Sequence, residues 1–312
     1  MASMGIGILV GEFLVGKLVF SGSHNFKTII LWGLALAVVF FLGLVDDLRG
    51  LNAYQKFPIQ FAITLFLYFV GFRIENLSLP WGGNLHLGIW GLPLELLWVV
   101  GVMNAVNIID GLDGLAAGIS LVASLSMFAV FLVHGKYPYA AVMAGMTGSL
   151  IGFLPFNIHP ARIFMGDSGS LSLGFILGTL AMKSSEKANL TVSLSVAFVI
   201  LFIPLMDTAL ALLRRWKNKK PLFSADNDHI HHRLFNKTGS QRKAVLILVL
   251  ISALFSFNGV LMALVDGYPR VFSILITFLV GFLVVWRLDY FSFRDTIGFF
   301  GSRVLFPKRR ET

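Results

Sequence analysis

Ten apolar windows follow one another along the chain with no separate soluble domain between them, and this repetition excludes most folds at once. They cover about residues 5–20, 28–45, 58–72, 92–109, 118–133, 140–156, 171–182, 190–213, 244–265 and 271–286. Windows of this length and polarity read as membrane spans. Only 13% of the residues are charged, against about 25% in a soluble domain, so the sequence has too little polar material to cover a water-facing surface. The strict alternation of a β-barrel is missing. The expected fold is an all-α polytopic membrane protein of about ten helices, a single domain over residues 1–312. Between the third and fourth windows, alternation around Trp81-Gly82-Gly83-Asn84 predicts a small β-hairpin.

Charge gives the orientation. If the loop after the second window is cytoplasmic, so are those after the fourth, sixth and eighth and the C-terminal tail, and that side then carries 18 of the 25 Lys and Arg. Lys and Arg concentrate on the cytoplasmic side of membrane proteins. The formal charge of +9 therefore points to anionic lipid and phosphate-bearing substrates rather than nucleic acid. There is no Cys, which removes disulfides, thiolate metal sites and Cys nucleophiles. No cleavable signal peptide is expected, since a basic n-region and a small-residue cleavage site are lacking.

All the unusual polar motifs fall on that same side. NAVNIIDGLDGL ends the fourth span and sets Asn104, Asn107, Asp110 and Asp113 at a constant step of three, one turn apart on a drifting helical face. Amides and carboxylates at bilayer depth mark a functional site, and hard oxygen donors suit Mg²⁺ or Mn²⁺. VDDLRGLNAYQK places the adjacent acids Asp46 and Asp47 ahead of Lys56; paired acids share a metal or act as a base, or simply end a helix with an Asp–Arg pair. In LPFNIHPARIFMGDSGSLSLG, Pro155 and Pro160 break a helix, Asn157 and His159 lie in the break, Phe164 stacks on a base or faces lipid, and Asp167 opens a new helix. Asp167, Ser168 and Ser170 are cap residues there, and a helix N-terminus also attracts phosphate.

The longest polar loop, within 214–243, carries His229, His231, His232 and Arg233. A Zn²⁺ site lacks a fourth ligand, so pyrophosphate recognition is favoured. Asp207, near the cytoplasmic end of the eighth span, reads as a hydrogen-bonding group within the bundle. A transporter would scatter such groups through several spans and repeat them in two halves; neither feature is present.

Taken in order, VDDLRGL, NAVNIIDGLDGLAAG, FMGDSGSLSLG and DHIHHRL resemble the polyprenyl-phosphate N-acetylhexosamine-1-phosphate transferase superfamily over nearly the whole chain. The resemblance implies attack of a membrane polyprenyl phosphate on the β-phosphate of a UDP-amino sugar, with release of UMP, and a need for Mg²⁺ or Mn²⁺. The HIHHRL form looks like the branch using UDP-N-acetylglucosamine and undecaprenyl phosphate, which starts teichoic acid, O-antigen or other envelope glycans in the bacterial plasma membrane. The alternative is the muramoyl-pentapeptide branch, marked by PxHHHxE. By resemblance Asp167 is a metal ligand with Asn107 or Asp110, and Asp46 and Asp47 sit near the nucleophilic phosphate that Lys56 holds. Asn104 and Asn157 belong to the substrate-binding set. Asp113 and Phe164 look like nucleoside contacts, and His229, His231, His232 and Arg233 like sugar-pyrophosphate contacts. A homodimer is compatible with the resemblance. The family has eleven spans with a basic PRxGG-like segment after the first. This chain begins about where that segment would end, which implies that the first span is absent and that Met1 is cytoplasmic.

Overall fold

A computed structural model of the chain describes residues 26–79, 83–183, 194–221, 228–265 and 267–288. The helices are α1 (Phe26–Arg49), α2 (Ala53–Val70), α3 (Gly91–Ile109), α4 (Leu115–Val133), α5 (Tyr137–Asn157), α6 (Gly166–Lys183), α7 (Leu194–Ile200), α8 (Phe202–Lys217), α9 (Ile230–Thr238), α10 (Gln241–Ala263) and α11 (Tyr268–Arg287). Nine of the ten apolar windows fall on helices; the first, 5–20, lies outside the described residues. Among the described residues six helices are long and apolar enough to cross a membrane, and the α7–α8 pair would make a seventh. The predicted hairpin is present: β1 (Asn76–Ser78) pairs antiparallel with β2 (Asn84–His86).

The outside of the bundle is what lipid requires. Leu34, Phe41, Phe69, Leu97, Leu254 and Phe272 are all more than half exposed, an apolar belt that would drive aggregation in water. The inside is organised by α6, every residue of which is buried from Ser170 to Lys183. It packs against α1 and α3 and touches α4 and α7. Lipid tails are as apolar as Leu, so helices associate in a membrane through close packing, and α6 supplies the small residues for it. A Cβ on Gly174 would lie 2.6 Å from the Met103 Cα, and one on Gly178 would lie 3.3 Å from the Val102 Cβ. The crossing is reinforced by Trp32, whose indole N–H donates to Thr179 Oγ1 (3.0 Å), and by Trp98, which donates to the Gly178 carbonyl (2.9 Å).

Two helical expectations need correction. The window at 190–213 is not one straight helix: within its described residues α7 and α8 meet at 83°. The cause is Pro204, whose ring is incompatible with the carbonyl four residues back, at Ile200. That freed carbonyl accepts from Ser256 Oγ at 3.2 Å, which is how a break inside a bundle is satisfied. In addition, Pro155 does not break α5; the helix runs through Asn157 and stops at Ile158.

The α3–α6 crossing gives a stability prediction. Gly174→Ala drives a methyl into the Met103 backbone and should cost about 1–3 kcal/mol. Gly145→Ala, whose Cβ meets nothing within 4 Å, should be neutral or slightly stabilising. Thermal melts of the two variants in detergent check the pair; equal melting temperatures would refute the tight crossing.

Candidate active site

Four helix ends (those closing α1 and α3 and those opening α2 and α6) and two loops converge at the end of the bundle opposite the hairpin. The centre is Lys56, on the first turn of α2, which starts with a capping box at Asn52 and Gln55. Its Nζ lies 2.5 Å from Asp46 Oδ2, at the end of α1, and 3.2 Å from Asp167 Oδ2, at the start of α6. The Asp46 side chain is 5% exposed, and its second oxygen accepts the Leu51 N–H at 2.6 Å. Asp167 Oδ1 accepts from Asn107 Nδ2 at 2.9 Å, and that amide also reaches Ser170 Oγ at 2.9 Å.

Asp47 has a different task from Asp46. Its carboxylate accepts the N–H groups of Asp167 (2.7 Å) and Ser168 (3.1 Å). It therefore caps α6 from another helix, satisfying two amides that have no partner inside the helix. Asp167, Ser168 and Ser170 all lie within α6, and the capping oxygens come from Asp47.

The step-of-three face ends early. α3 stops at Ile109, so Asn104 and Asn107 are helical, Asp110 is the C-terminal cap and Asp113 lies in the following turn. Asn104 points deeper, donating to Gln60 Oε1 at 2.7 Å. Asp110 is raised to about 8 by burial, then by the charges of Asp167, Asp47 and Asp113. Asp110 thus faces three other carboxylates, while the Lys56 ammonium is engaged by Asp46 and Asp167, and the spot is short of positive charge.

Asp113 and Asn157 tie loops together. Asp113 Oδ2 meets His159 Nδ1 at 2.7 Å and accepts the Ala161 N–H at 3.2 Å. Arg242 at the start of α10 donates to the His159 carbonyl (2.8 Å). The Asn157 amide accepts from the Gly114 N–H (3.1 Å) and donates to the Ile163 carbonyl (2.9 Å). Phe164 stands out from this loop, 60% exposed.

The histidine loop enters from the far side. His231 is buried, and a Cβ on Gly111 would fall 2.2 Å from its Nε2, so only glycine permits this contact beside Asp110. Burial pushes the His231 ring down to about 4, despite the opposing pull of Asp207. The rings of His231 and His232 lie 4.2 Å apart. Arg233 pairs with Asp228 and donates to the Leu288 carbonyl.

Gln60, Ser170, His159 and Asp207 join these networks although the motifs alone do not single them out as site residues. Gln60 had a signal, as a polar residue one turn beyond Lys56 in an apolar span. Beside the cluster, between α2, α3 and α8, lies a cavity of about 780 Å³ lined by Tyr54, Phe57, Phe61, Leu97 and Leu212, with Asn104 and Arg215 as polar members.

Spanning helices gather acids, amides and histidines at one end, beside an apolar cavity, in a polytopic membrane protein. The chain belongs to glycosyl transferase family 4, whose model matches residues 29–185. It is 34% identical, over 87% of its length and 76% of the relative's, to a Bacillus subtilis protein described as a probable undecaprenyl-phosphate N-acetylglucosaminyl 1-phosphate transferase. It is likewise 34% identical to the decaprenyl-phosphate N-acetylglucosaminephosphotransferase of Mycobacterium tuberculosis, over 82% of this chain and 70% of that protein. A phospho-N-acetylmuramoyl-pentapeptide-transferase of Streptococcus mutans is 33% identical, over 61% of this chain and 60% of its own.

The Lys56 pairing can be tested by thermal melts. Removing one partner of a buried ion pair costs about 3–5 kcal/mol because the other charge is left uncompensated. Lys56→Met should therefore destabilise the protein, and adding Asp46→Asn should recover most of the loss. A double variant no better than the single one would show that Asp46 is not the group Lys56 compensates.

Proposed function

We propose that this protein transfers N-acetylglucosamine 1-phosphate from UDP-N-acetylglucosamine to undecaprenyl phosphate, at the cytoplasmic face of a bacterial plasma membrane, with UMP as the second product. The observation that carries the reading is the meeting of Asp46, Lys56, Asn107 and Asp167 beside the apolar cavity. One substrate is a lipid and the other is water-soluble, so the reacting groups must meet at a membrane boundary. The cavity takes the first isoprene units, and Lys56, one residue from the lining Phe57, holds the lipid phosphate.

Both reactants are anionic, so the site must offset repulsion while aligning nucleophile and leaving group. A phosphomonoester is mostly ionised at neutral pH; direct attack of a lipid phosphate oxygen on the β-phosphorus therefore needs no strong base. The bond to the UMP oxygen breaks as the new pyrophosphate bond forms. Asp46 orients Lys56, and Asp47 holds the first turn of α6 so that Asp167 faces Asn107. The loop tied by Asp113 and Asn157 presents Phe164 to the uracil. His229, His231, His232 and Arg233 bind the sugar pyrophosphate.

Among the described residues no three acidic or histidine side chains form a metal-binding group. Mg²⁺, however, commonly uses one or two carboxylates and takes its other ligands from water and substrate phosphates. The charge deficit at Asp110 and the all-oxygen donors fit that ion, and Asp167, Asp110 and the Asn107 carbonyl oxygen would hold it. Bound there, Mg²⁺ would supply Lewis-acid neutralisation of the pyrophosphate.

Purified protein with undecaprenyl phosphate, UDP-N-acetylglucosamine and Mg²⁺ should release UMP. Chelation should stop the release, and Mg²⁺ or Mn²⁺ should restore it. Asp167→Asn should lower turnover about 100-fold or more, as removal of a transition-state charge partner does, while the protein stays folded in detergent. Turnover that prefers UDP-N-acetylmuramoyl-pentapeptide would overturn the donor assignment, and near-normal turnover in Asp167→Asn would overturn the metal role.

A further inference from the structure

Asp207 is fully buried and lies on α8, just past the bend at Leu201. Both of its oxygens leave the bundle's own helices and bind the histidine loop. Oδ1 accepts the Ile230 N–H at 2.9 Å, and Oδ2 lies 3.1 Å from His229 Nδ1. The same Oδ2 is 4.0 Å from His231 Nδ1, beyond hydrogen-bond reach, and neither nitrogen of the His231 ring has a hydrogen-bond partner among the described residues. The His229 and His231 rings stack nearly parallel, 3° apart in plane with centroids at 5.5 Å. From α8 the line of contact thus runs from Asp207 to His229, across the stack to His231, and on to Gly111 beside Asp110.

A buried carboxylate is a costly way to hold a loop, since apolar groups of similar size would be as stable. Its particular use is to choose which ring nitrogen carries the proton. The other face of α8 explains why it sits there. Thr208, Leu212 and Arg215 line the apolar cavity, one to two turns apart on one stripe, while Asp207, Leu210 and Ala211 are buried. One short helix is therefore shared by the cavity and the histidine loop.

We propose that Asp207 is a positioning residue: it accepts the Nδ1–H of His229, fixes the tautomer that leaves Nε2 as a hydrogen-bond acceptor for a hydroxyl of the nucleotide's sugar, and locks the ring stack against Gly111. The proposal rests on the reading that the histidine loop binds UDP-N-acetylglucosamine.

The test compares wild type, Asp207→Asn, His229→Gln and the double variant for UMP release. Asp207→Asn turns an amide toward His229 and should lower kcat/KM for UDP-N-acetylglucosamine about 10- to 100-fold, as loss of a carboxylate behind a working histidine does. KM for undecaprenyl phosphate should stay nearly constant. The double variant should be no worse than His229→Gln alone, because a residue that acts through another adds nothing once that other is gone. With wild type active, a kcat/KM in Asp207→Asn within about threefold of wild type, or losses that multiply in the double variant, would overturn the proposal. A second measurement does not require Asp207→Asn to fold. Imidazole ¹⁵N spectra of wild-type protein, with His229 identified by its loss in His229→Gln, should show a protonated Nδ1, and an unprotonated Nδ1 would sink the idea. If wild type releases no UMP, the transfer reading fails, and the spectrum still decides the Asp207–His229 pair.

Discussion

The ammonium group of Lys56 is what allows three helix ends to meet. Without it, Asp46 on α1 and Asp167 on α6 would be two carboxylates facing each other in a poorly hydrated place. Like charges in that setting repel strongly and are relieved only by protonation or by a cation. Lys56 lies within reach of both acids, and the α2 capping box sets the turn that presents it. Asp47 completes the arrangement by satisfying the amides that open α6. The helix ends are therefore joined by the same groups to which the proposed function gives chemistry, so under that reading stability and activity draw on the same side chains.

This economy extends outward. The Asp113–His159 pair and the Asn157 amide hold the loop between α5 and α6 against the turn after α3. Asp207 holds the histidine loop in the same manner. In each case a buried or half-buried polar group is satisfied by backbone or side chain from a distant part of the sequence, as water-poor surroundings demand. Elsewhere the bundle relies on glycine-mediated helix crossings and tryptophan hydrogen bonds, which ask nothing of the site. A rigid scaffold with a polar rim at one end suits the proposed transfer of a sugar phosphate from a soluble nucleotide to a lipid.

Much of this was legible in the sequence. The apolar windows gave the helices and the Gly-rich alternation gave the hairpin, because length and period are local properties. The motifs announced a shared site, because acids and amides in apolar surroundings need a reason to be there. Less legible was where helices stop. The step of three from Asn104 to Asp113 suggests one helical face, yet α3 ends at Ile109. Pro155 looks like a breaker and is carried inside α5, while Pro204 does break its span.

What the sequence alone determined is the class of molecule, the helices and the set of chemical groups available, since composition and periodicity are written residue by residue. What only the tertiary structure decided is the division of labour among similar groups. Asp46 and Asp47 are neighbours of the same type, but one faces a lysine and the other the end of a helix 120 residues away. Asp207 belongs to the histidine loop only because α8 turns through a sharp angle before reaching it. Such assignments depend on side-chain direction and on contacts between distant segments, and no local pattern encodes either.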